Sequence, residues 1–233
     1  MRGRFETQAD LDHAVKALVK QDPRLRPILA TTGMPALRKH EPGFGGLARI
    51  VVGQQLSTAS ANAIWSRLSG AYDPFHHDSI WRATSAGLAK LGLSAAKIKT
   101  LKLLAAELQS ARLDLDSLGG LDADEAHAIL TALHGVGPWT ADVYLLFCLG
   151  HSDAWPAGDL ALQDAVRAGL GLESRPTTKE MIALAEVWRP FRGAAAHLWW
   201  AYYRVARRPV ESSRARGLQH NGHRKQHNKR TAG

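Results

Sequence analysis

The sequence predicts an all-α fold, and three observations predict it. Apolar residues recur at helical spacing along most of the 233 residues. The intervals are punctuated by proline, glycine and capping residues rather than by hairpin turns. No stretch alternates apolar and polar residues as a half-buried strand would. Hydrophobic residues make up 45% of the chain, enough for a packed interior.

The elements follow in order. Leu11, Val15, Leu18 and Val19 form one helical face behind Asp10 or Asp12 as cap. Pro23, Pro27, Pro35 and Pro42 then divide the chain into short segments. From Phe44 a helix carries Leu47, Ile50, Val51 and Val52 to Gly53. After the corner Gln54-Gln55-Leu56-Ser57 a second carries Ala61, Ile64, Trp65 and Leu68 to Gly70. Ser94 caps a helix from Ala95 to about Gln109. Asp122 or Asp124 starts another, through Ala126, Ile129, Leu130 and Leu133. A turn from Gly135 to Pro138 leads into a helix from Trp139 to Leu149, and three more are expected over 160–170, 178–187 and 191–207. From about Ser212 the chain is basic and nearly devoid of apolar residues, so a disordered tail is expected over 212–233. Its His220, His223 and His227 read as part of a solvated basic segment.

The net charge is +9, of which residues 209–233 carry +5. Basicity over the folded part is therefore modest and by itself only weakly favours a polyanionic partner. No apolar run approaches the ~20 residues of a membrane helix, and the N-terminus lacks a signal-peptide core. We expect a cytoplasmic, nucleoid-associated protein without membrane contact. The single cysteine, Cys148, lies in an apolar helix and reads as a small core residue. One cysteine cannot hold an iron–sulfur cluster or a four-cysteine zinc site.

The informative stretch is Leu133-His134-Gly135-Val136-Gly137-Pro138-Trp139-Thr140-Ala141-Asp142. Two glycines between amphipathic helices allow a tight turn and a close backbone approach to a ligand. The free N–H groups of the following helix point back into the turn, a geometry that binds phosphate. Together with the Thr140-Ala141 pair, the Gly-Val-Gly turn resembles the helix-hairpin-helix element of DNA-repair glycosylases.

That resemblance implies a catalytic aspartate about twenty residues on, at the start of the next helix. Asp159 stands 19 residues beyond Thr140, in Pro156-Ala157-Gly158-Asp159-Leu160-Ala161-Leu162. It can serve both as helix cap and as catalytic anion, because a helix N-terminus favours the ionised form. Asp142 and Asp164 read as structural or solvated. Bifunctional members carry a lysine two residues after the second hairpin glycine; here that position is Trp139, so a monofunctional hydrolase is implied.

The chain is most similar to the 3-methyladenine DNA glycosylase II branch, over residues 44–207. That branch implies two helical lobes flanking a DNA-binding cleft, one of about 1–43 plus 155–211 and one of about 44–154. The implied partner is double-stranded DNA containing damaged bases, bound by a monomer. By position, Trp139, Trp200 and Val143 would line the base pocket, where indole faces favour a cationic alkylated purine. Val143 stands where the branch has a tyrosine, and Gly158 where it has a second aspartate. With 43 residues before Phe44, the β-rich domain of the larger members is not expected here. Gln54, Gln55 and Leu56 resemble the corner that enters the DNA stack, with either Gln55 or Leu56 as wedge. Gly135, Val136, Gly137, Thr140 and Lys97, with Arg189 and Arg192, are candidate DNA contacts. The backbone carbonyls of Thr131, Leu133 and Val136 would hold a monovalent cation, Na+ or K+; no other cofactor is implied. Two rival readings remain at this level: a glycosylase for oxidised or deaminated purines, and a non-catalytic DNA-binding module.

Overall fold

The computed structural model describes the backbone from residue 3 to residue 223 and side chains as far as residue 207. The expected tail residues 224–233, and the side chains of His220 and His223, lie outside that description. Among the described residues the fold is twelve α-helices with short 3₁₀ turns and no strand, apart from one isolated bridge between Arg4 and His151.

Two groups of helices pack within themselves. In the first, α1 (Gln8–Gln21), α2 (Arg26–Thr32) and α10 (Leu160–Leu170) pack against α12 (Arg192–His223), with α11 (Thr178–Ala185) joined through the 3₁₀ turn Glu186–Trp188. In the second, α3 (Gly43–Gly53) packs against α4 (Thr58–Ala71), α7 (Ala95–Gln109) and α9 (Pro138–Phe147). The same group holds α5 (His77–Arg82) and α6 (Ser85–Lys90) against α7, and α8 (Ala123–Thr131) against α9.

Two of the caps read from sequence hold where they were placed. Ser94 Oγ accepts from the Lys97 N–H at the head of α7, and Asp122 caps α8. The first helix corrects the expectation. Its cap is Thr7, and Asp10 is the reciprocal partner of a capping box, accepting the Thr7 N–H at 2.7 Å. The helix therefore starts earlier than an Asp10 cap would allow. Short α5 and α6, and the break of 178–187 into α11 and a 3₁₀ turn, also escape a periodicity reading because the pieces are only three to eight residues long.

The last helix departs most. α12 continues through 212 to His223, where disorder was expected. The buried first half, including Ala194 to Trp199, supplies the nucleus. Propagation adds a hydrogen bond at each residue except Pro209, which has no N–H, and beyond it Glu211, Arg214, Ala215 and Arg216 are good helix formers.

A core of buried apolar residues runs through both groups. Cys148 is buried and free, its thiol pushed up to about 12 by burial, in keeping with a core role. In α12, Trp199 and Trp200 differ by one residue and so project about 100° apart. Trp199 is fully buried beside Trp188, with 6.0 Å between rings. Trp200 turns toward Phe147 of α9, with 5.2 Å between stacked rings. That choice of face brings α12 to the functional site.

Candidate active site and DNA interface

The hairpin is built as its glycines require. Gly135 has φ +77°, and a Cβ there would overlap Thr100 Oγ1 of α7, so the turn is both left-handed and wedged against a neighbouring helix. Gly137 is different: it caps α9 with φ −82°, and a Cβ there would meet nothing within 4 Å. Its hydrogen therefore faces open space, where a phosphate can approach the backbone. Pro138 at the first helical position gives up an N–H that has no helical partner anyway. Val136 is 3% exposed and Thr140 is 2% exposed. Both residues are packed into the hairpin's interior, where they shape the turn.

The corner at 54–57 locks onto this hairpin. Gln54 Nε2 donates to Thr140 Oγ1 at 2.8 Å and to the Gly135 carbonyl at 3.3 Å. Gln54, expected at the DNA contact, lines the cleft with its amide fastening corner to hairpin. Lys97 is likewise engaged within the protein. Its Nζ donates to the Val52 and Gln54 carbonyls at 2.7 and 2.9 Å, satisfying acceptors at the C-terminal end of α3. Burial holds its pKa below the ordinary lysine value. Gln55 and Leu56 remain exposed at the tip, Gln55 with φ +57°. Arg189 and Arg192 are not free cations either. Both pair with Asp124 and Asp153, which fastens the loop before α10 to α8 and α12.

Asp159 occupies the position that the resemblance implied. It is the N-cap of α10, partly exposed, with Oδ1 accepting the Leu162 N–H at 3.0 Å. Its environment holds something sequence reasoning missed. Trp139 Nε1 donates to Oδ2 at 2.9 Å, and Trp200 Nε1 donates to Oδ1 at 3.2 Å. The two tryptophans expected as pocket walls both hold the carboxylate, reaching it from the hairpin helix and from α12, and Trp139 lines the cleft beside it. No local pattern signals this, because the three residues meet only through tertiary packing. Three N–H donors on two oxygens fix the direction in which the carboxylate faces.

The carboxylate opens onto a cleft of about 630 Å³, lined by Gln54, Gln55, Gly137, Trp139, Thr140 and Leu160 among others. Leu160 is 62% exposed there, an apolar side chain that a helix-cap reading of the segment does not single out. Val143, expected in the pocket, is 7% exposed and packs into the core on a face of α9 that is buried along its length. The hairpin turn and the acid therefore share one cleft, with an aromatic wall between them.

A glycine hairpin at a helix start and a clamped aspartate at the next helix start define a class, and the chain belongs to it. Residues 48–190 match the HhH-GPD superfamily of base excision DNA repair proteins. Among similar proteins, one of Mycobacterium tuberculosis, named "Probable bifunctional transcriptional activator/DNA repair enzyme AlkA", is 33% identical over 82% of this chain. The chain spans 40% of that protein's length. A solved 3-methyladenine DNA glycosylase of Schizosaccharomyces pombe, in complex with abasic DNA, superposes with TM-score 0.72. It is 29% identical, with 80% of this chain and 95% of that one covered. A DNA-3-methyladenine glycosidase of Bacillus halodurans superposes with TM-score 0.74 at 28% identity, covering 87% and 93% of the two chains.

Proposed function

We propose that this protein is a monofunctional DNA glycosylase that excises alkylated purines from duplex DNA. One observation carries the reading: a partly exposed carboxylate, held by two indole N–H groups and a helix start, faces the cleft rimmed by the hairpin turn. The hairpin backbone grips the phosphate, Gln55 or Leu56 enters the stack, and the damaged nucleotide flips toward Asp159 at an unstacking cost of a few kcal/mol. N3 or N7 alkylation makes the purine cationic, so it leaves neutral with the glycosidic electron pair. The sugar is left with oxocarbenium character, which the Asp159 charge stabilises while water adds at the anomeric carbon. Trp139 has no amine, so no Schiff base forms at its position.

The cleft walls favour a cationic base. Gln54 and Thr140, polar groups lining the cleft, are already bonded to each other. A neutral oxidised or deaminated purine needs hydrogen bonds to its edge, whereas a cation gains ~0.5–2 kcal/mol over an indole face. The names of the relatives, DNA-3-methyladenine glycosylases, support the same choice. In this reading the protein acts as a monomer on damaged duplex DNA in the nucleoid. The carbonyls of Thr131, Leu133 and Val136 would hold a Na+ or K+ that braces the turn. Thr131 ends α8, where carbonyls lack helical partners, and the Leu133 carbonyl already accepts from the Val136 N–H at 3.1 Å with a second lone pair to offer. The deciding experiment is excision from duplexes containing 7-methylguanine or 3-methyladenine against duplexes containing 8-oxoguanine, hypoxanthine or uracil. Release of the methylated bases alone is the expected result; release of a neutral lesion alone overturns the specificity, and release of none overturns the enzyme.

A further inference from the structure

A second cavity lies behind Trp139. It measures about 660 Å³, and its walls include Trp139, Trp155, Ile182, His127 and Asp142. It shares Pro138, Trp139 and Gly158 with the Asp159 cleft, so an indole and a residue without a side chain stand between the two. A Cβ at Gly158 would find only Thr178 within 4 Å, at 3.9 Å.

The charges around this cavity decide what it can hold. Arg189 and Arg192 line it, yet both guanidiniums are pledged to Asp124 and Asp153, which line it too. A phosphate would meet those carboxylates with no uncommitted cation to offset them. Asp142 is the unusual group. It is 9% exposed, and its nearest ionisable partner, His127 Nε2, stands 3.8 Å away, beyond hydrogen-bonding distance. Burial pushes Asp142 up to about 8, so it carries a proton at neutral pH. Burial also holds His127 below the ordinary imidazole value, so it is uncharged. Asp142 accepts from the Trp155 backbone N–H, and a neutral carboxyl there still offers one donor and a free acceptor lone pair beside it. That pattern is complementary to the edge of a purine, where a ring nitrogen adjoins an amino or lactam group. Indole walls suit the purine's faces.

We infer that this cavity is a second binding site, one that takes a free purine base and not a nucleotide. The inference rests on the glycosylase reading, because that reaction releases such a base beside Trp139. An occupant there touches the same indole whose N–H holds Asp159, so the product bound behind Trp139 slows further excision.

The test titrates free 7-methylguanine into the full chain, followed by calorimetry, alongside Thr178→Trp, Asp142→Leu and Asp142→Asn. Thr178 is exposed and lines the cavity, so a tryptophan there obstructs it without disturbing the core. The wild type binds one equivalent. Thr178→Trp and Asp142→Leu each weaken binding about tenfold or more, the worth of one or two buried hydrogen bonds. Asp142→Asn, which still offers a donor and an acceptor, binds within about threefold of wild type. Wild-type affinity falls above pH 8 as Asp142 ionises facing Asp124 and Asp153; Arg189 and Arg192 keep their charge and His127 stays neutral there. If Asp142→Leu fails to fold, Thr178→Trp decides. No binding, or binding that Thr178→Trp leaves unchanged, overturns the inference. Wild-type excision from methylated duplex, measured in parallel, reports on the glycosylase reading separately.

Discussion

Replacing Asp159 by Asn tests how the carboxylate is held as well as what it does. Three donors converge on its two oxygens: Leu162 N–H and Trp200 Nε1–H on Oδ1, and Trp139 Nε1–H on Oδ2. Asparagine has one oxygen. Placed at Oδ1, that oxygen keeps two donors and keeps the helix cap, which Asn serves well. Its NH2 then faces the Trp139 N–H across 2.9 Å, donor against donor. One charge-assisted hydrogen bond is lost, worth ~1.5–3 kcal/mol and toward the lower end here because the site is partly solvated. For a domain of this size each kcal/mol shifts Tm by ~2–4 °C, so Asp159→Asn melts roughly 3–8 °C lower. Excision falls further, by about a hundredfold to a thousandfold or more, because the charge facing the oxocarbenium is gone. The double variant Asp159→Asn/Trp139→Phe separates the two effects: it removes the opposing donor, so Tm recovers while excision does not. Thermal melts and single-turnover excision of 7-methylguanine check this. A double variant no more stable than Asp159→Asn refutes the clamp, and wild-type excision by Asp159→Asn refutes the catalytic assignment.

Other consequences follow from the hairpin, the corner and the buried acid. Gly135→Ala combines a left-handed backbone, ~1–2 kcal/mol, with the Thr100 overlap, ~1–3 kcal/mol, and should lower the melting temperature by several degrees. Gly137→Ala meets open space and should melt like wild type while binding duplex more weakly; equal melting temperatures for the two variants would contradict the geometry. Lys97→Met should lower stability but leave the salt dependence of DNA affinity unchanged, since its amine is spent on carbonyls. A direct phosphate contact would instead reduce the log–log slope by ~0.9. Asp142, raised in the folded protein from near 4 to about 8, favours folding most below its unfolded value, and that contribution is lost as pH rises from 4 to 8. Asp142→Asn should therefore gain stability over wild type progressively between pH 5 and pH 8; a gain that shrinks over that range would sink the assignment.

The sequence by itself determined the helical class, several capping residues, the glycine turn between two helices and the place of Asp159 at the next helix start. These depend on local rules: periodicity, side-chain caps, glycine freedom, and a fixed spacing between two helix starts. Tertiary structure decided the partnerships. Lys97 and Gln54 read as DNA contacts because a basic or amide side chain near a hairpin suggests solvent and phosphate; that packing also brings carbonyls and Thr140 within their reach was not legible. Likewise nothing in the spacing of residues 139, 159 and 200 foretells that two indoles will share one carboxylate. Hydrogen bonds between distant elements depend on the angle at which helices cross and on which face each presents, and those are set by the whole core at once.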